Sequence, residues 1–155
     1  MQSELIAPRQ QIRVIALGLI RHKQRLFVSE GYDEVKQQFF YRALGGGVEF
    51  GESSLDALQR EFREEIQAEL TNIRYLGCLE NLFVFNGKPG HEIVQIYGCD
   101  FVDEAFYQQE QFSFVEPEDP QGQIQIARWV EVQQFHTGAL RLVPEACLQY
   151  LNAQG

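Results

Sequence analysis

The sequence predicts an α+β fold, a mixed sheet set against helices. Three observations point there: several short β-branched and aliphatic runs, one uninterrupted helix-forming stretch after a glycine run, and an Asn-Gly turn between two apolar runs. Residues 11–20, QIRVIALGLI, read as a strand, and RLFVSE at 25–30 follows the polar RHKQ at 21–24, so these two are expected to pair as a hairpin. FFYRAL at 39–44 is a third strand that runs into Gly45, Gly46 and Gly47, where a turn is expected. Ser53 or Ser54 is placed to cap a helix, and the stretch from Leu55 to about Ala68 is rich in helix formers and holds no Gly or Pro. IRYLGCLENLFVF at 73–85 and HEIVQIYGCDF at 91–101 flank Asn86-Gly87 and read as a second hairpin. Residues 103–123, acidic and broken by Pro117, Pro120 and Gly122, are expected to be mostly loop. IQIARWVEV at 124–132 reads as a last strand, and Pro144 opens a short closing helix.

A chain of 155 residues, 45% of them hydrophobic, is long enough for one domain with a real core and short for two, so residues 1–155 are read as one domain. Cys78, Cys99 and Cys147 are odd in number, widely spaced and form no CxxC pair, which suggests neither a disulfide framework nor a zinc site and fits a reducing, cytoplasmic compartment. The N-terminal stretch lacks a basic start, a long apolar run and a cleavage pattern, so no signal peptide is expected. No segment approaches the roughly 20 apolar residues of a spanning helix, and no membrane partner is expected. A net charge of −9 argues against nonspecific nucleic-acid binding, which relies on clustered Lys and Arg. Residues 1–42 hold seven Lys or Arg against four Asp or Glu, whereas residues 43–155 hold six against eighteen. The sign changes just before the glycine run. This is either chance variation along a small domain or an arrangement in which an anionic substrate meets basic groups first while metal ions screen the acidic part.

The stretch GGGVEFGESSLDALQREFREEIQAEL, residues 45–70, is the most informative. With Leu55 at zero on a helix of 100° per residue, Leu58, Phe62 and Ile66 fall at about −60°, −20° and +20° and form an apolar stripe. Glu65, Glu61 and Glu64 fall beside it at about −80°, −120° and 180°, with Ala57 and Ala68 leaving space in the same arc. Three carboxylates on one arc repel each other unless a partner compensates. Hard divalent cations take oxygen ligands, and Mg²⁺ is commonly held by a few carboxylates together with substrate phosphates. Arg60 is placed to pair with a carboxylate and orient it. The glycines allow close backbone approach and leave carbonyls to ligate metal, Gly46 being the best placed. The alternative is an ordinary acidic wet face.

The spacing weighs against that alternative. Gly46 is followed after five residues by Glu52, and Glu52 after seven by Arg60-Glu61-Phe62-Arg63-Glu64-Glu65. This resembles the Nudix box, G-x5-E-x7-R-E-U-x-E-E-x-G-U, and one Gly, one Arg and four Glu in that register arise by chance with odds on the order of 10⁻⁵ or lower. The chain departs from the pattern at Gln67, where the family has Gly, at Ala68, the last apolar position, and at Phe62, where an aliphatic residue is usual. The resemblance implies an α/β/α sandwich around a mixed sheet and Mg²⁺ or Mn²⁺ as cofactor. It makes Glu61, Glu64 and Glu65 metal ligands, gives Gly46 a ligating carbonyl, and makes Glu52 an auxiliary acid.

The chemistry that follows is substitution at phosphorus by water, with the cation neutralising phosphate oxygens and the protein supplying position. Glu61 or a later acid would accept the proton; Glu92, Glu104, Glu110, Glu116 and Glu118 are candidates, each equally readable as a solvated surface acid. Arg42, four residues before Gly46, is a candidate phosphate contact. Phe39, Phe40, Tyr41 and Trp129 are read as core rather than as a base-stacking face, and of the histidines only His91, near Lys88, is a substrate candidate. The leading expectation is a small-molecule nucleotide substrate, a nucleoside diphosphate linked to another moiety. A nucleotide-pool hydrolase of oxidised nucleoside triphosphates, a catalytically silent nucleotide sensor and an unrelated acidic interaction domain are the alternatives. Oligomeric state stays open, a homodimer included.

Overall fold

The computed structural model describes residues 10–117 and 119–152, so Glu118 lies outside it. Eight strands form one mixed sheet: β1 (Arg13–Leu19), β2 (Arg21–His22), β3 (Arg25–Asp33), β4 (Gln38–Gly47), β5 (Leu70–Phe85), β6 (Lys88–Phe101), β7 (Gln111–Val115) and β8 (Ile124–Glu131). Their order is β5-β6-β1-β4-β3-β8-β7, with β2 paired to β3 off this path. β1 and β6 run parallel, and the other pairs are antiparallel.

β4 belongs to both halves of the sheet. Its residues 38–43 pair with β3, and its residues 44–47 pair with β1. The glycine run is therefore the end of a strand, where the sequence suggested a turn. The expected hairpin between residues 11–20 and 25–30 is also corrected. RHKQ makes only the small β2–β3 hairpin, turning through left-handed Lys23 and Gln24 and extended by one bond from Phe27 N–H to Ile20 C=O. β1 itself lies between β4 and β6. The reason is its burial: Ile15, Ala16 and Leu17 on successive faces are all sealed from water, and a strand apolar on both faces belongs inside a sheet.

The β5–β6 hairpin turns at Asn86 and Gly87, both at positive φ, as an Asn-Gly turn requires. Its tip is tied to the β3–β4 turn by Asp33. One Asp33 oxygen accepts from the Val35 and Lys36 amides and the other from the Asn86 amide. Within the stretch expected to be loop, residues 104–107 form a single 3₁₀ turn and QFSFV forms β7. Phe112 and Phe114 point into the core from β7 while Gln111, Ser113 and Val115 face water. The surrounding acids and prolines hid this period of two.

The single long helix, α1 (Ser54–Ile66), starts at Ser53, whose Oγ accepts the Asp56 N–H. It stops two residues before the expected Ala68 because Gln67 takes a left-handed conformation, at a cost of roughly 1–2 kcal/mol for a residue with a Cβ. Glutamine thus fills the family's glycine position in glycine's conformation, and the Ala68 N–H reaches back to Phe62 C=O. The helical angle assigned to Ala68 no longer applies, and Ala57 and Ala68 both sit in the core rather than in the acidic arc.

Leu58, Phe62 and Ile66 pack on one sheet face with Ala16, Phe27 and Trp129. On the other face, Leu17, Val28, Val94 and Val130 are covered by α2 (Val132–His136) and a 3₁₀ segment, Glu145–Leu151, through Phe135, Cys147 and Leu151. The α/β/α arrangement holds with a thin second layer. Tyr41 and Trp129 are core as expected, but Phe39 is mostly exposed. Among the described residues no helix is long and apolar enough to cross a membrane.

Burial pushes the Cys99 and Cys147 thiols up to about 12, while Cys78 is exposed. Because the thiolate is the nucleophile, iodoacetamide at neutral pH is expected to modify Cys78 alone in the native protein and all three cysteines after denaturation. Mass spectrometry of the labelled chain reads this directly.

Candidate active site

The end of β4 and one side of α1 meet through the three glycines, each of which admits a different neighbour. A side chain on Gly45 would collide with the Ala16 carbonyl oxygen, and its φ of +149° disfavours any other residue. A Cβ on Gly46 would fall inside the Glu61 carboxylate. A Cβ on Gly47 would stand 2.8 Å from Arg13 Nη2. The absence of side chains thus lets the Glu61 carboxylate and the Arg13 guanidinium each close on the strand, from opposite faces of the sheet.

Arg60 is the hub. Its Nε donates to Glu52 Oε2 at 2.8 Å and its Nη2 to Glu52 Oε1 at 2.9 Å, a two-pronged pairing. Nη1 donates to Glu61 Oε1 at 3.0 Å and Glu64 Oε2 at 3.2 Å, and Nη2 also reaches the Gly47 carbonyl at 2.9 Å. Glu52 in turn accepts the Glu49 amide. The Arg60 guanidinium holds the Glu52 carboxyl below its ordinary range, and Glu52 in return pushes Arg60 further up. The residues of the Nudix-like motif therefore converge: Gly46, Glu52, Arg60, Glu61 and Glu64 form one connected set.

Glu65 completes it from beneath. It is only 8% exposed, and burial, then the hydrogen bond and charge of Glu61, push its carboxyl up to about 9. Burial also raises Glu61. At neutral pH without a cation, Glu65 keeps its proton and donates to Glu61. Among the described residues no three acids, histidines or cysteines already close around one point, and Glu64 is held by Arg60 on the exposed side.

Arg42 Nη1 lies 3.8 Å from Glu92 Oε2, and its charge partly offsets the rise at Glu65. This makes Glu92 the counterion of Arg42 rather than a free acid. Glu110 is engaged by Arg25 at 2.7 Å, and Glu104, itself exposed, opens the 3₁₀ turn. Glu116 differs from these, because its charge reaches Glu65 and raises it. His91 sits on β6 opposite Leu82, on the outer part of the β5–β6 hairpin. Arg13 is a residue the sequence did not single out. It lines a cleft of about 350 Å³ with Ile12, Val14, Val48, Glu49 and Glu61.

Comparison with known proteins follows the same lines. A stretch of 37 residues is 54% identical to the NAD-capped RNA hydrolase NudC of Pseudomonas putida (strain W619), covering 24% of this chain and 13% of that protein. Among solved structures, a NUDIX hydrolase from Nitrosomonas europaea superposes with a TM-score of 0.59 at 15% identity, covering 91% of this chain and 86% of the other. A MutT protein from Bacillus halodurans gives 0.61 at 15% identity, over 92% and 84%. The model of the NUDIX domain matches residues 9–149, nearly the whole described length and all of the connected acid set, and the chain belongs to the NUDIX family.

Proposed function

We propose that the chain is a Mg²⁺-dependent hydrolase, with Mn²⁺ as a substitute cation, that cleaves a nucleoside diphosphate linked to another moiety through attack of water at phosphorus. The observation that supports this most is the abutting pair Glu61 and Glu65 beneath Gly46. Glu65 is buried and Glu61 half-buried against it, each raised by burial, and the ligating atoms they offer with the Gly46 carbonyl are all oxygens, as a hard divalent cation prefers. Glu61, Glu64, Glu65 and the Gly46 carbonyl would hold the ion, with Glu52 as auxiliary acid. When bound, the cation would neutralise phosphate oxygens and make water a stronger nucleophile.

The chain's own groups do the rest. Arg60 fixes Glu52, Glu61 and Glu64 relative to the Gly47 backbone, so the acids are oriented before substrate arrives. Arg42 supplies a positive charge near Glu65, which suits contact with a phosphate on its way to the acids. Glu61, or Glu116 from the end of β7, is the candidate proton acceptor. The diphosphate-linked class is favoured by the 37-residue match to a protein named for NAD-capped RNA, since NAD is itself a diphosphate-linked nucleotide.

The test is a product screen with Mg²⁺ over nucleotide sugars, ADP-ribose, dinucleoside polyphosphates and nucleoside triphosphates. The expected result is a nucleoside monophosphate and a phosphorylated fragment from a diphosphate-linked compound, abolished by EDTA and restored by Mg²⁺. Pyrophosphate released from a triphosphate would replace this substrate class with the triphosphate one. No cation-dependent cleavage of any compound would reject the enzyme reading.

A further inference from the structure

The sheet ends in two edges of different character. β7 at one end has only five residues, and a short edge offers little to a second chain. β5 at the other end has sixteen. Its first part is kinked by two register shifts, between Thr71 and Arg74 and between Tyr75 and Gly77, which also spoil an edge as a template. From Gly77 to Phe85 the pairing with β6 is unbroken. Among the described residues, no backbone outside β6 bonds residues 77–85. The stretch holds no proline and no basic residue, and its single charge is Glu80. A row of amides and carbonyls open on one side is a template for another strand.

The side chains of this stretch indicate which strand. By alternation Glu80, Leu82 and Val84 share one face, and all three are exposed, Leu82 at 71%. On the other face Leu79 packs on the core, Asn81 donates to Glu92 and Phe83 lies over Gly90. Among the described residues, one side chain bonds the backbone of residues 77–85: Lys36, whose Nζ donates to the Val84 carbonyl at 2.8 Å. Its nearest acid is Asp33 at 4.0 Å, which already accepts from three amides. The ammonium therefore has protons to spare. A strand with an acid at position 80 and a lysine held at position 84 is its own antiparallel complement. When two copies pair about Leu82, residues equally far from the axis stand opposite one another, so Glu80 of each lies across from Val84 of the other, beside its Lys36.

We propose that residues 79–85 of β5 form an interface with a second copy of this chain, pairing antiparallel about a two-fold axis at Leu82 so that the sheet continues from one molecule into the next. Leu82 meets Leu82 at the axis, two Glu80–Lys36 ion pairs flank it on one face, and Leu79 stands across from Phe85 on the other. An axis at Glu80 would instead oppose two carboxylates. A strand pair of this length falls toward the small end of stable interfaces, about 1,200 Å², so the association is reversible and depends on concentration. It does not rest on the hydrolase reading.

The test uses the full chain and sedimentation velocity over a range of concentrations. The wild type is expected to pass from monomer to dimer as concentration rises. Glu80→Lys and Lys36→Glu should each weaken dimerisation roughly 5- to 30-fold, since like charges then face each other twice per dimer. Combining Glu80→Lys with Lys36→Glu should recover most of the loss, which neither a folding defect nor an interface elsewhere would produce. Deuterium exchange on the wild type should show the amides of residues 79–85 slowing as concentration rises, while those of β7 do not change. Melting temperatures identify any variant that misfolds, and Glu80→Lys with the exchange experiment decides the matter without Lys36→Glu if that variant does. A chain that stays monomeric at every concentration overturns the proposal and leaves the edge to a strand of a different protein. A dimer whose strength Glu80→Lys leaves unchanged, or whose residues 79–85 exchange as fast as in the monomer, overturns it as well.

Discussion

Glu65→Gln is expected to lower kcat/KM by about two to four orders of magnitude while the protein still folds. The loss follows from position: Glu65 is the buried member of the acid set, and an amide cannot supply the negative charge that a cation needs. The fold survives because the metal-free Glu65 carboxyl, pushed up to about 9, already carries a proton at neutral pH, and glutamine is close to it in shape and polarity. A carboxyl raised in the folded state stabilises the chain fully only below its unfolded value, near 4.5, and that contribution drains away as pH climbs toward about 9. Thermal melts in EDTA should therefore show the wild-type protein losing stability across this window and Glu65→Gln losing less. Mg²⁺ should raise the wild-type melting temperature more at the alkaline end. Glu64→Gln should also depress turnover by orders of magnitude. Rates near wild type in both variants would remove the ligand assignment.

The second large effect separates two neighbouring glycines. Gly45→Ala places a Cβ against the Ala16 carbonyl at a φ of +149°, and backbone has no means of yielding as a side chain does. Strain at a glycine-only conformation together with overpacking costs about 2–5 kcal/mol, so the variant should melt far below the wild type or fail to accumulate as folded protein. Gly46→Ala meets only the end of the Glu61 side chain, which can swing aside. It should fold with a modest loss of melting temperature and lose most of its activity, because the displaced carboxylate no longer lies where Arg60 holds it. Chemical denaturation and a turnover assay on the purified pair measure both. Equal stabilities for the two variants would contradict the geometry.

The chemistry was more legible in this sequence than the topology. Glu61, Glu64 and Glu65, with Arg60 beside them, could be placed on one arc because a helix has a fixed period, so spacing converts to direction, whereas Gly46 and Glu52 precede the helix and were tied to them by the resemblance to the Nudix motif. Strand pairing has no such rule. Nothing local told β1 to pair with β4 and β6 instead of with β3, since that choice is made by residues 92–98 far along the chain. β7 was lost because its five residues lie among acids and prolines, where local composition outweighs alternation. The approach of Arg13 to Gly47, thirty-four positions away, was hidden for a related reason, since only the register of β1 against β4 brings the two together. Gln67 shows the opposite case, a departure from the family pattern that the backbone absorbs without changing the helix exit.

β4 gives one strand to both halves of the sheet, and its splicing has a thermodynamic corollary. Neither half can come apart without breaking hydrogen bonds along this common seam, so unfolding should proceed in a single cooperative step in which the amides of residues 41–46 exchange with deuterium only through global opening. The acids and the arginine that converge on its glycine end would then be no less persistent than the core, and local fraying would not dismantle them.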